Sequence, residues 1–180
     1  MPLSVRLPRR VRTLTLTLHV LASIGWFGSV AAYLVLAVAG RNSADVDVVR
    51  AAYLSMGLVV TYVIVPLALA ALATGLLQAL VSAWGLFRHY WVVAKLLLAT
   101  FGTFLLLMHA TQTRSLAAAA AAEALSLDGF AGERTKLAIL SAGALVMLLV
   151  ATSLATFKPA GLTPFGRRGR RQDMMLGRPR

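Results

Sequence analysis

A chain of 180 residues that is 59% hydrophobic and 13% charged is too apolar for an ordinary soluble domain, which carries about 25% charge. The absence of cysteine excludes a disulfide framework, a thiolate metal site and a cysteine nucleophile. The formal charge of +12 would suit a nucleic-acid partner, but its distribution along the chain assigns it elsewhere.

The whole chain has a mean hydropathy of +0.78, and its four long apolar runs predict an all-α, four-helix transmembrane bundle. The first run, about 14–39, lies between "RRVR" and "GRNSADVD". It is too long for the apolar part of a cleavable signal peptide, and no small-residue cleavage site ends it. The second run, about 53–84, follows an amphipathic lead-in, "DVDVVRAAYL". The third, about 90–116, passes through "VVAKLLLATFGTFLLLMHA", and the Ala117–Ala122 tract should carry its helix onward, because alanine is the best helix former. A break is expected at "SLDGFAGE", where Gly129 and Gly132 punctuate. The fourth run, about 137–157, stops ahead of Pro159. Residues 1–12 form a basic N-terminus, 13–157 the membrane domain, and 158–180 a basic, disordered tail. Barrel strands would be shorter and alternating, so the runs are helices.

With four spans, both termini and the second loop share one side. That side holds Arg6, Arg9, Arg10, Arg12, Arg88 and seven basic residues from Lys158 to Arg180. The other side holds Arg41, Arg50, Arg114, Arg134 and Lys136, with five of the six acids (Asp45, Asp47, Glu123, Asp128 and Glu133). The excess of Lys and Arg puts both termini in the cytoplasm. The tail "GRRGRRQ" then reads as a topology signal beside anionic lipid, and no nucleic acid is needed to explain it.

Polar residues inside the spans are the candidate functional groups, because each is costly in hydrocarbon. Counting about 1.5 Å per helical residue, His19 lies roughly 10 Å and Lys95 roughly 8 Å from the same interface, with Thr74, Gln78, Thr152 and Ser153 at similar depth. Helical spacing aligns Thr15, His19, Ser23 (or Ala22), Trp26 and Tyr33 on one stripe of the first helix. Trp91, Lys95, Ala99, Gly102 and His109 form a stripe on the third. If the stripes face each other, His19 and Lys95 line one internal pocket. Gly25, Gly28, Ala31, Ala32, Ala71 and Gly75 would then allow close backbone approach or leave room for a flat ligand. His109 lies roughly 21 Å beyond Lys95 on the same helix, so it cannot share one metal or one haem with His19. A structural alternative has His19 hydrogen-bonding a neighbouring helix through Gln78 or Thr152 while Lys95 snorkels to the interface.

No carboxylate lies within a span, which disfavours an Asp/Glu proton relay. No glycine-rich phosphate loop, nucleophile elbow or HExxH zinc motif is present, so hydrolases and ATP-driven pumps are disfavoured too.

Two stretches carry a resemblance. "LHVLASIGWFGSVAAYL" is similar to the first span of the HemJ-type protoporphyrinogen oxidases and the CopD-type copper-resistance membrane proteins, with a histidine seven residues ahead of an aromatic W-F-G group. "HYWVVAKLLLATFG" resembles their third-span pattern, a lysine after an aromatic residue near the helix start. Overall the chain looks most like a group of short bacterial four-helix membrane proteins with a domain of unknown function within that grouping. The resemblance implies that His19 and Lys95 are functional and that b-type haem binds near the histidine. The chain departs from the HemJ pattern at "GTFLLLM", where a tyrosine–histidine pair is expected, and it lacks the arginine after the first aromatic group. What carries over is a haem pocket at His19 more than porphyrin oxidation itself.

The leading expectation is therefore a redox or electron-transfer protein of the bacterial cytoplasmic membrane. His19 is the axial iron ligand, Trp26 packs on the macrocycle, and Lys95 pairs with a propionate or supplies the second ligand. Enzymatic activity is left open, and the expected partners are lipid, a redox partner or second subunit, or another copy of the chain. One alternative is copper or small-cation permeation through His19, Met108 and His109; another is a non-catalytic membrane scaffold.

Overall fold

The computed structural model describes residues 8–81, 89–122 and 130–157, together with Gly161, Thr163, Pro164 and Arg167. Residues 1–7, 82–88 with the end of the second apolar run through Trp84 and Arg88, 123–129 with the first half of the expected break, and nearly all of the basic tail lie outside that set.

Four helices account for the described chain, and each is long and apolar enough to cross a membrane. We label them α1 (Arg9–Asn42), α2 (Val46–Val59, a π-turn at Val60–Ile64, then Val65–Val81), α3 (Tyr90–Ala121) and α4 (Ala131–Phe157). All extend past their apolar runs at one end or both. α1 begins at Arg9, and α2 absorbs the amphipathic lead-in, capped by the Asp45 carboxylate on the Asp47 N–H at 2.9 Å. α3 runs through the alanine tract to Ala121. α4 starts at Ala131, so Gly132 and Glu133 belong to its first turn and not to a break, and Arg134 and Lys136 are helical rather than outside the span. A single glycine does not stop a helix whose following residues pack.

The π-turn has a local cause. Pro66 has no N–H to donate to the Tyr62 carbonyl, and its ring would press against it. Widening the helix at Val60–Ile64 accommodates that defect without ending the span.

The helices pack in an up-down-up-down square. α1 touches α2 and α4, α3 touches α2 and α4, while α1 and α3 stand on one diagonal and α2 and α4 on the other. The buried residues of α1 (Ala22, Trp26, Val30, Tyr33, Ala37 and Gly40) follow the helical stripe read from the sequence, with Ala22 and not Ser23 on the buried line. At the end of the bundle away from the N-terminus, Gly40 lies against Ala52 and Tyr53, where an added Cβ would come within 3.1 Å of each. The outer faces are apolar: Leu21, Ile24, Leu58, Leu97, Phe104 and Val146 are all exposed. No more than 28% of the most apolar window of any helix is buried inside the bundle. A surface of this kind faces hydrocarbon and not water.

Candidate functional site: a polar clasp and an apolar cavity on the α1–α3 diagonal

Because α1 and α3 are diagonal, long side chains must reach across the middle of the bundle for them to meet. At the end bearing the N-terminus, His19 and Lys95 do so. The Lys95 Nζ lies 3.3 Å from His19 Nε2. The other ring nitrogen, Nδ1, lies 3.1 Å from the Ala71 carbonyl and 3.1 Å from Thr74 Oγ1, both on α2.

Donor counting assigns the tautomer. The Thr74 hydroxyl donates to the Ala70 carbonyl at 2.6 Å, and a carbonyl can only accept, so Nδ1 carries the hydrogen. Nε2 is then a lone pair that accepts from the Lys95 ammonium. A doubly protonated ring would set a second positive charge against Lys95 in a low-dielectric interior. A locked Nδ1–H is what a metal-ligating histidine requires of its surroundings, but here the Nε2 lone pair is taken by Lys95.

Gly75 makes room for the imidazole, since a Cβ there would stand 3.0 Å from His19 Cε1. One turn nearer the N-terminus, the Gln78 amide donates to the Thr15 carbonyl at 3.0 Å, so Gln78 ties α1 to α2 without touching His19. Thr152 likewise spends its hydroxyl on its own helix, at the Leu148 carbonyl. The helix-bonding partners of His19 are thus Ala71 and Thr74, not Gln78 or Thr152.

Two turns deeper, roughly 10 Å along the axis, Trp26 crosses the same diagonal toward Gly102. The indole Cη2 is 3.9 Å from where a Gly102 Cβ would sit, and the Met147 thioether of α4 occupies the space that glycine leaves. Above this layer opens a cavity of about 440 Å³, bounded by α1, the π-turn, α3 and α4. Trp26, Tyr33, His109, Thr113 and Ser141 line it among aliphatic side chains, but neither His19 nor Lys95 does. Phe101 and Ile139, both lining residues, are 56% and 66% exposed, which places the mouth on the lipid-facing side between α3 and α4.

The site residues therefore divide. His19 and Lys95 meet directly, Trp26 separates them from the cavity, and His109 belongs to the cavity alone. Met108, the neighbour of His109 in sequence, is 57% exposed on the outer face, since adjacent helical residues point in different directions. Among the described residues no three His, Asp or Glu side chains gather as a metal set.

Two buried polar groups were not singled out from the sequence as partners. The Tyr33 hydroxyl lies 2.8 Å from Thr113 Oγ1, a second link across the diagonal. Arg134, 5% exposed, donates to the Gly40 carbonyl and, at 3.1 Å, to that of Arg41. A cation on the last carbonyls of α1 complements the helix dipole as well as the unpaired backbone acceptors. Tyr33 stood on the predicted stripe, whereas nothing in the pattern around Arg134 separates it from an interfacial arginine.

The fold and site together define a four-helix multi-pass bundle with a histidine–lysine clasp near one end and an apolar cavity deeper in its interior. No protein-family model, curated protein or solved structure matches this chain.

Haem at the clasp can be tested against the donor set. The residue types are ones that can hold iron and a propionate: His19 has Nδ1 tied down and Lys95 has no carboxylate partner among the described residues, but Nε2 is taken by Lys95 and neither residue lines the cavity. Nε2 and Nζ are, however, too close to stand on opposite sides of a metal, where two bonds of about 2 Å each would part them. Lys95 must leave Nε2 for iron to take its place.

Proposed function

We propose that this chain is a b-type haem-binding redox or electron-transfer protein of the bacterial cytoplasmic membrane, with His19 as the axial ligand. The observation that carries this reading is the His19 hydrogen bonding, with Nδ1–H held by the Ala71 carbonyl and Nε2 turned inward toward Lys95. The resemblance of the first and third spans to HemJ-type proteins points to the same two residues. The excess of Lys and Arg on the side of the termini supports a cytoplasmic placement for both.

In this reading His19 would hold the iron, the Lys95 ammonium would pair with a propionate, and Trp26 would pack against the apolar edge. Haem, when bound, supplies one-electron chemistry that no side chain here offers. The residues of the chain orient it, satisfy its charge and exclude water. The test is a dithionite-reduced minus air-oxidised visible spectrum of protein purified after expression with ample haem. A b-type signal supports the reading, and its absence overturns it.

A second reading draws on the same contact. With Lys95 donating to His19 and His19 donating to α2, the clasp is satisfied without any ligand, as a purely structural device would be. A scaffold of this kind would show no haem spectrum but would lose stability when His19 is removed.

A further inference from the structure

The cavity above Trp26 has an unusual donor and acceptor balance, and it is separate from the clasp. Its walls carry four polar side chains on the side away from Trp26, and the hydrogen of each is already committed to protein. Ser141 donates within its own helix, to the Leu137 carbonyl at 2.9 Å or the Ala138 carbonyl at 3.0 Å. Thr113 donates to the His109 carbonyl at 3.2 Å, and with that hydrogen spent Tyr33 donates to Thr113 at 2.8 Å. The His109 Nδ1–H donates to the Leu105 carbonyl at 2.7 Å. Because the carbonyl is only an acceptor, Nε2 of His109 is left as a lone pair, and it has no protein partner among the described residues. This end of the cavity therefore offers acceptors and no hydrogens.

We propose that this cavity is a binding site for a membrane-dissolved, hydroxyl-bearing apolar molecule of the phenol or hydroquinone type, whose hydroxyl donates to His109 Nε2. About 440 Å³ falls in the range of small-molecule sites, roughly 300–1,000 Å³. The mouth at Phe101 and Ile139 opens sideways to where such a molecule dissolves, and an aryl body can pack toward Trp26. A hydroxyl entering this cavity finds an acceptor that an aliphatic chain would leave unpaired. A carbonyl or ether oxygen finds no hydrogen at this end, so the site discriminates by donor capacity. The proposal holds whatever His19 binds.

The test uses the full chain in lipid nanodiscs and three probes: 4-octylphenol, its methyl ether, and the acceptor-only 4-octylacetophenone. Saturable binding is read by thermal shift and by displacement. The phenol should bind saturably and the ether roughly fivefold or more weakly, the size of one lost hydrogen bond. His109→Leu should reduce the phenol to the affinity of the ether. Gly143→Leu is the control for space: Gly143 lines the cavity and an added Cβ there meets nothing within 4 Å, so the larger side chain should fill the cavity and abolish binding of all three probes without unfolding the protein. Equal affinity for phenol and ether would overturn the proposal, as an acyl chain filling the cavity would give. Ketone binding as tight as the phenol would overturn it too, since the head group would then sit on the Trp26 N–H. Uptake unaffected by Gly143→Leu would mean partition into lipid and would equally defeat it.

Discussion

His19 is costly in hydrocarbon unless every polar atom of its ring is met, and three groups from two helices meet it. Replacing it with alanine removes links to α2 and to α3 at once. Unliganded His19→Ala should lose about 1–2 kcal/mol in detergent unfolding, since single hydrogen bonds in membranes average well under that. Lys95→Met should behave differently. The thioether keeps the volume and removes a half-buried cation that has no carboxylate among the described residues, which offsets the bond lost at His19 Nε2, so the unliganded protein should melt close to the parent. Haem retention should nevertheless fall, because the propionate loses its partner. The shared depth of these two residues was legible, since about 1.5 Å per residue puts both at one level, but that their stripes face each other was a condition and not a reading. The identity of the partner on α2 was not legible: Thr74 and Gln78 lie one turn apart on one face, and which of them reaches His19 depends on the axial register of α2 against α1.

At the scale of the helices, small residues decide how closely neighbours approach, and two glycines make the point in opposite ways. A Cβ on Gly57 would sit 2.6 Å from the Ala117 Cβ, and neither atom can move without its backbone. Gly57→Ala should therefore push α2 from α3 and cost about 1–3 kcal/mol. A Cβ on Gly102 would come closer still to a neighbour, but that neighbour is the flexible end of Met147. Gly102→Ala should be tolerated, the rotation of Met147 being offset by the gain in helix propensity of about 1 kcal/mol. Thermal melts of the two variants side by side check the contrast. The helices themselves were legible because a bilayer admits no other spanning structure for such runs. Their true ends were not: Arg9, Asp47 and Arg134 are charged, and apolarity stops counting where interfacial packing and capping still hold a helix.

For the whole molecule, the square arrangement leaves α1 and α3 joined only through side chains among the described residues, which is why one diagonal holds both the clasp and the cavity. The cavity could not be read from the sequence, because it depends on Met147 filling the space at Gly102 while nothing fills the space beside Gly143. The proposed orientation rests on charge and is open to a direct check. The chain has no cysteine, so single cysteines need no background removed. In intact cells Ala44→Cys should react with a membrane-impermeant maleimide, and Gln172→Cys should react only after lysis. The reverse pattern would put the basic tail outside and contradict the assignment.

The most direct test of the central claim is haem titration of the purified protein and of His19→Ala, with and without added imidazole. The account predicts a b-type spectrum in the parent, its loss in His19→Ala, and its recovery when free imidazole enters the space left beside Gly75. A parent with no signal, or a His19→Ala protein that keeps the parent spectrum without imidazole, would contradict it.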